Sequence, residues 1–479
     1  MNLCRIRRAG IMTCVLALAA CSNLSPQKMP AVSQDISTNG LQASWVVMGD
    51  QGQATARAIT TGTVCPALVQ DGVAQTMTVR AVAATVAQRK TASKSEASKP
   101  SAFPVLTCEA TLAKSTSAAS IAGHALPLPK ATVQKIVVVG DSGCRLKASD
   151  NYFQPCNDGE KWAFRSMIDT AATFKPDLVL HVGDYQYREN PCPDGHPECA
   201  GSPWGYGWDT WQADFFSPAQ ALLNAAPWVM VRGNHESCTR AGQGWWRFLD
   251  PRPLQSGRDC NLDQNDMTGD YSAPYAVPLG TVGGQSAQFI VFDSSKVPNK
   301  VLSKQDPARQ IYVDQMTMVN QLATQVDFNL FTNHHPILGV SVEKKVSGGL
   351  DVKPGNVALQ DVMKEMNPAR LFSPKIQVAI SGHVHLFEAL TFSNDYPTQF
   401  VSGNGGSSLD TPLKTPVDPS LTPYPAAQLA YFSNSNDVGF MTLEREQNYW
   451  NVRAWNKHGQ LITECQMQEK STQCHTVGS

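Results

Sequence analysis

Lys135-Ile-Val-Val-Val-Gly-Asp141-Ser-Gly143 and Asp177-Leu-Val-Leu-His-Val-Gly183-Asp184-Tyr-Gln-Tyr187 decide the fold. Each is a short apolar run that ends in Gly-Asp. A continuous apolar run rich in β-branched residues suits a strand buried on both faces. Between the two runs, Trp162, Phe164, Met167, Ile168 and Phe174 recur at near-helical spacing. The unit therefore reads strand, helix, strand, and a right-handed crossover is expected. Ligands of such sheets gather at the carboxyl ends of the strands. Asp141 and Asp184 both stand there. Two carboxylates converging on one point need a cation, or they repel. A lone Gly-Asp is ordinarily just a turn, as expected for Gly49-Asp50 after Trp45-Val-Val-Met48.

The same grammar of apolar strand, Gly or Asn, then Asp, Asn or His recurs downstream. Trp228-Val-Met-Val231 leads into Arg232-Gly233-Asn234-His235-Glu236. Phe328-Asn-Leu-Phe-Thr332 leads into Asn333-His334-His335-Pro336, and Lys375-Ile-Gln-Val-Ala-Ile380 into Ser381-Gly382-His383-Val384-His385. Five of the ten histidines thus sit at strand ends. Carboxylate and imidazole together suit zinc, manganese or iron. His383 and His385, one residue apart after a Gly that permits a turn, can address two ions about 3.5–4 Å apart. A further strand is expected over 288–292, with helices over 211–226 and 307–325. The last strands are expected near 399–401, 438–443 and 449–455. His181, on the strand before Asp184, is expected to be a core or supporting residue, and Glu236 support rather than a base.

The chain opens with Arg5, Arg7 and Arg8, then an apolar core over 11–20 ending Leu18-Ala-Ala-Cys21. Residues 1–20 read as an export signal, too short in its apolar part to span a bilayer. The ending resembles a bacterial lipobox, which implies that Cys21 is lipidated. Ser22 after it leans toward the outer membrane. The expected protein is exported and lipid-anchored, facing the periplasm or the cell surface, with residues 21–40 as a tether. Removing Cys4, Cys14 and Cys21 from the thirteen cysteines leaves ten, an even number suited to an oxidising compartment. They fall as near neighbours: Cys65 with Cys108, Cys144 with Cys156, Cys192 with Cys199, Cys238 with Cys260, and Cys465 with Cys474. Five local disulfides are expected. Net charge is −1 without a basic block, so no nucleic-acid footprint is present. Residues 41–130, rich in Thr, Val, Ala and Ser, read as a small β-sandwich. Pro127 and Pro129 mark a linker, and 131–479 reads as the α/β catalytic domain.

Asp141-x-Gly143, Gly183-Asp184-x-x-Tyr187, Gly233-Asn234-His235-Glu236, His334 and Gly382-His383-x-His385 resemble the motifs of calcineurin-like metallophosphoesterases, and more narrowly of purple acid phosphatases. The resemblance implies a four-layer α/β/β/α sandwich preceded by a small β-domain. Most calcineurin-like enzymes carry Asp-x-His in the first motif. Here Gly143 replaces that His, while Tyr187 stands where purple acid phosphatases place a tyrosine ligand. By resemblance, Asp141, Asp184, Tyr187 and His385 hold Fe(III), and Asp184 bridges. Asn234, His334 and His383 hold Fe(II), Zn(II) or Mn(II). His235 binds phosphate and protonates the leaving oxygen, and His335 lines the pocket. The implied activity is hydrolysis of small phosphate monoesters by a metal-bound hydroxide. The alternatives are a phosphodiesterase or nucleotidase on the same metals, or a surface-binding lipoprotein with an inactive phosphatase domain.

Overall fold

The computed structural model describes residues 40–344, 349–418, 420–468 and 471–477. The expected export signal and nearly all of the tether lie outside the described residues. Among the described residues, no helix is long and apolar enough to cross a membrane.

Two sheets stack face to face. The larger has eleven strands, and its middle runs Gly439–Glu446, Lys135–Val139, Leu178–His181, Trp228–Met230, Leu41–Met48. Lys135–Val139 and Leu178–His181 pair in parallel, Val137 opposite Val179, with helix Phe164–Ala172 between them in sequence. The smaller sheet has seven strands, including Gln285–Val291, Phe328–Thr332 and Ile376–Ser381 as parallel neighbours.

Strand alternation builds the layers. Ile136, Val138, Leu180 and Val229 share one core with Phe289, Leu330, Val378 and Ile380 of the facing sheet. Val137, Val139 and Val179 point the other way, onto Phe164, Met167 and Ile168 of the helix. On the outer face of the smaller sheet, Ile290, Phe331 and Ala379 meet Tyr312 and Met316 of helix Pro307–Leu322 and Leu359 of helix Val357–Met366. The expected α/β/β/α order is therefore present. Pro307 begins its helix, and the Asp306 side chain caps it by accepting from the Ala308 amide.

The helix expected over 211–226 is broken. Its sequence forms a turn of helix at Trp208–Trp211, a π-helical turn at Gln212–Phe216, and a short helix at Gln220–Leu223. Pro218 has no amide to continue the ladder. The aromatic rings also set the path: Phe216 packs on Trp45, Trp208 and Phe248.

The N-terminal region is β-rich, and its strands join the sheet of the region that follows. Leu41–Met48 pairs in parallel with Trp228–Met230, Val47 opposite Trp228. Ala54–Thr60, Leu106–Thr111 and Thr78–Ala81 continue the same sheet outward. A separate four-stranded sheet contributes Leu68 and Ile121 to the core that holds Ala56 and Ala58. All five disulfides join the cysteines paired by proximity in sequence.

Candidate metal centre

The loops after five strands converge: Asp141, Asp184, Asn234, His334 and His383 each follow a sheet strand closely. Tyr187 Oη lies 2.8 Å from Asp184 Oδ2, 3.0 Å from Asp141 Oδ1 and 2.8 Å from His385 Nε2. His385 Nδ1 donates to the Ser408 carbonyl, which leaves Nε2 as a lone pair. One phenol proton thus faces three acceptors. A cation among these four groups satisfies all of them.

Asp184 Oδ2 is also 3.2 Å from His334 Nε2. His334 Nδ1 donates to the Val182 carbonyl at 2.9 Å, so this ring too is aimed by its far nitrogen. Asn234 Oδ1 is 3.0 Å from both His334 Nε2 and His383 Nδ1. Ligand atoms of Asp184, His334 and His383 lie within 4.8 Å of one another. Asp184 belongs to both groups. The donor set fits two cations that share this carboxylate.

The electrostatics agree. Burial alone would raise the Asp184 carboxyl, yet His334 and His235 outweigh it and hold it well below the usual range. Burial opposes charge on His334, but Asp184 pulls the imidazole up to about 9. Burial, then Asp141 and Asp184, push the Tyr187 phenol well above its ordinary value. Buried carboxylates that lift their neighbours in this way mark a centre short of positive charge.

Backbone strain gathers at the same residues. Asp141, Asp184 and His383 adopt φ of 54°, 59° and 70°, in the left-handed region. Each such residue costs about 1–3 kcal/mol and persists only where its surroundings enforce it. Close packing also requires glycine at two motif positions. A Cβ on Gly233 would lie 2.1 Å from Asp184 Oδ1, and one on Gly143 would meet Asp214 Oδ2 at 2.8 Å.

His235 stands beside the metal ligands expected from the sequence. Its ring lies over Tyr187 at 3.9 Å between centroids, with Nε2 3.9 Å from Asp184 Oδ2. Burial lowers this imidazole to about 4. His335 bonds Ser294 Oγ through Nδ1 at 3.1 Å, and its ring sits 4.2 Å from that of His383. His181 is a core residue, stacked on Tyr185 at 3.8 Å and bonded to Ser142 Oγ. Glu236 braces the loops: its carboxylate accepts from the amides of Gly233, Asp184 and Tyr185 at 3.1, 3.0 and 2.9 Å.

Two buried carboxylates escaped the sequence reading. Glu189 Oε1 lies 2.8 Å from His235 Nδ1 and 3.8 Å from Arg240 Nε. Burial opposes its charge, but Arg240 and His235 hold it down at about 2. Asp214 accepts from the amides of Tyr187 at 2.8 Å and Cys144 at 3.1 Å, tying together the loops of Asp141 and Tyr187. Glu189 follows Tyr187 by two residues, the one local sign that it belongs to this site.

The model of the calcineurin-like phosphoesterase family matches residues 134–387. No curated protein matches the sequence. Among solved structures, a purple acid phosphatase from yellow lupin (Lupinus luteus) seeds aligns at 15% identity. The alignment covers 89% of this chain and 74% of that one, with a TM-score of 0.54. A structure of PhoD aligns at 11% identity over 92% of both chains, with a TM-score of 0.46. At 15% identity the likeness to the lupin structure is one of fold. The family match spans more than half of the 479 residues and includes all seven converging donors, so the chain belongs to the calcineurin-like phosphoesterases.

Proposed function

We propose that this chain is an exported acid phosphatase of the purple type, hydrolysing small phosphate monoesters at a two-ion centre. Family membership carries the reaction class, phosphoester hydrolysis. The observation that supports the two-ion reading is Asp184 Oδ2, 2.8 Å from the Tyr187 phenol on one side and 3.2 Å from His334 Nε2 on the other. Two bound cations supply neutralisation of the phosphate charge and a more acidic water.

Asp141, Asp184, Tyr187 and His385 would hold the first ion. A phenolate is a hard anion and favours Fe(III) there. Asn234, Asp184, His334 and His383 would hold the second, as Fe(II), Zn(II) or Mn(II). His235 is the proton donor in this reading: Glu189 Oε1 stands 2.8 Å from its Nδ1, and Nε2 faces the shared carboxylate. Burial lowers this ring to about 4, so it is as the imidazolium, at acid pH, that Nε2 binds a phosphate oxygen and protonates the departing alkoxide. His335 lines the adjoining wall. Residues 131–479 form the catalytic domain, and Cys21 is the lipid anchor of a protein facing the periplasm or cell surface. The five disulfides support an oxidising compartment.

The test uses the chain from Ser22 onward, exported without its anchor. Hydrolysis of p-nitrophenyl phosphate and of bis-p-nitrophenyl phosphate is compared across pH, beside Asp184→Asn. Fast monoester cleavage at acid pH, lost in the variant, is the expected result. A preference for the diester would move the assignment to a phosphodiesterase. A metal-loaded protein inactive on both would overturn it.

A further inference from the structure

In the N-terminal region, residues 87–100 run out between the paired strands Ala84–Val86 and Ser101–Phe103 and lie as a strap on two loops of the metal centre. Every residue of the strap is exposed or half-buried, so it adds little to a core. Asn190, next to Glu189, donates from Nδ2 to Ser93 Oγ at 2.9 Å and to the Ala97 carbonyl at 3.1 Å. Thr239, next to Arg240, accepts at its carbonyl from the Ala92 amide at 2.8 Å. Arg89 fixes the start of the strap. Its guanidinium donates to the Cys260 carbonyl and to Asp266 Oδ2, each at 2.6 Å, and stands 2.9 Å from Asp263 Oδ1. Cys260 is bonded in turn to Cys238, which follows His235 in the same loop.

The side chains of the two gripped loops meet at one oxygen. Glu189 Oε1 stands 2.8 Å from His235 Nδ1 and 3.8 Å from Arg240 Nε. The other carboxylate oxygen accepts from the Tyr206 hydroxyl at 3.4 Å, and that hydroxyl also meets Ser93 of the strap. Glu189, Asn190 and Tyr206 are all buried beneath these contacts. A slip of either loop by about 1 Å would misplace the imidazole, and a misplacement of that size is able to cost roughly 100-fold in rate.

We propose that this strap is a positioning element of the reaction: it clasps the Glu189 loop to the Arg240 loop, and so keeps His235 aimed at the leaving oxygen. The proposal rests on the reading of His235 as the proton donor and extends it to the N-terminal region. A strap that acts in this way matters only where the leaving group needs a proton. The nitrophenolate of p-nitrophenyl phosphate departs without one, whereas the ethoxide of ethyl phosphate requires it.

In the test, Asn-Gly replaces residues 87–100 and closes the Val86–Ser101 pair as a two-residue hairpin. Both kcat and KM are measured for the two esters on the metal-loaded full chain, with metal content and thermal unfolding alongside. The replacement should lower kcat for ethyl phosphate roughly tenfold or more. Its KM, the turnover of p-nitrophenyl phosphate and the metal content should be unchanged. In a His235→Asn background the replacement should cost nothing further, because the two changes then act through one group. Ser93→Ala, a milder cut at the same grip, should show the same selective loss, and it carries the test where the replacement does not fold. With His235→Asn selective for ethyl phosphate, a strap variant that slows neither ester, or both alike, would overturn the strap's role alone. A His235→Asn variant that slows both esters alike, or a metal-loaded parent that cleaves neither, would overturn the proton-donor reading and the strap's role with it.

Discussion

At the scale of single residues, Asp184 has the most to lose. Its carboxylate reaches the Tyr187 phenol and His334 together, and its backbone is held at φ 59° by the Glu236 brace. Asp184→Asn keeps the shape and removes the charge. It should lose bound metal, by elemental analysis, and nearly all phosphatase activity, while circular dichroism stays native. An active, metal-replete variant would remove the bridging role. Tyr187→Phe should abolish visible absorbance if iron stands beside the phenol, and retained colour would exclude the phenolate as chromophore. Glu189 has a subtler part. Its carboxylate lies 2.8 Å from the far nitrogen of His235, and its amide donates to the Tyr187 carbonyl at 2.9 Å. Glu189→Gln should lower kcat roughly 10- to 100-fold by loosening the proton donor, with metal content and KM little changed. Loss of metal instead would make Glu189 a brace of the centre.

At the scale of elements, the loops that carry the donors are fixed more firmly than their length suggests. Cys144–Cys156 and Cys192–Cys199 share one buried cluster with Leu146, directly after the Asp141 loop and the Tyr187 loop. Asp214, from the broken helical segment, clips those same loops together. Replacing Cys144 and Cys156 by serine should reduce metal content and activity. The same change at Cys465 and Cys474, in the terminal hairpin, should leave both intact. Equal effects at the two sites would mean that the disulfides serve only global stability. The Leu41–Met48 strand is the other element whose place matters. Trp45, fully buried against Phe216, fills the helix-side layer next to Trp228. Trp45→Ala should cost about 3–5 kcal/mol, read from denaturant unfolding.

The whole molecule behaves as one sheet stack. Leu41–Met48 pairs directly with Trp228–Met230, so the N-terminal β-region and the family-matched region share backbone hydrogen bonds and a core. Arg57 and Arg80 add to this. They are buried and donate to the carbonyls of Phe248, Trp246 and Asp250 across the join. Calorimetry should show a single unfolding transition for the two regions. Two separated transitions would mean that the join is weak. A chain begun at residue 131 would expose the Trp228 edge and should aggregate, since an uncovered strand offers unpaired amides and carbonyls.

Much of this was legible along the chain. Strand ends, the Gly that lets a ligand turn, and cysteines near in sequence are local properties, and a buried strand carries its own apolar run. The strand-end places of Asp141, Asp184, Asn234, His334 and His383, the core role of His181 and the five cysteine pairs followed from such signs, whereas Tyr187 entered through the family resemblance. What tertiary structure alone decided was non-local. Val47 and Trp228 are far apart in sequence, and nothing in either stretch names the other as its partner. Asp214 and Glu189 sit in segments with no strand pattern, and burial beside Tyr187 and His235 gave them their parts. The 211–226 segment has helical spacing, but its aromatic rings had to fit against Trp45 and Phe248, and Pro218 gave the chain a place to break. Local pattern sets what a segment is able to form. Packing against distant residues decides where it goes and which of its side chains meet a partner.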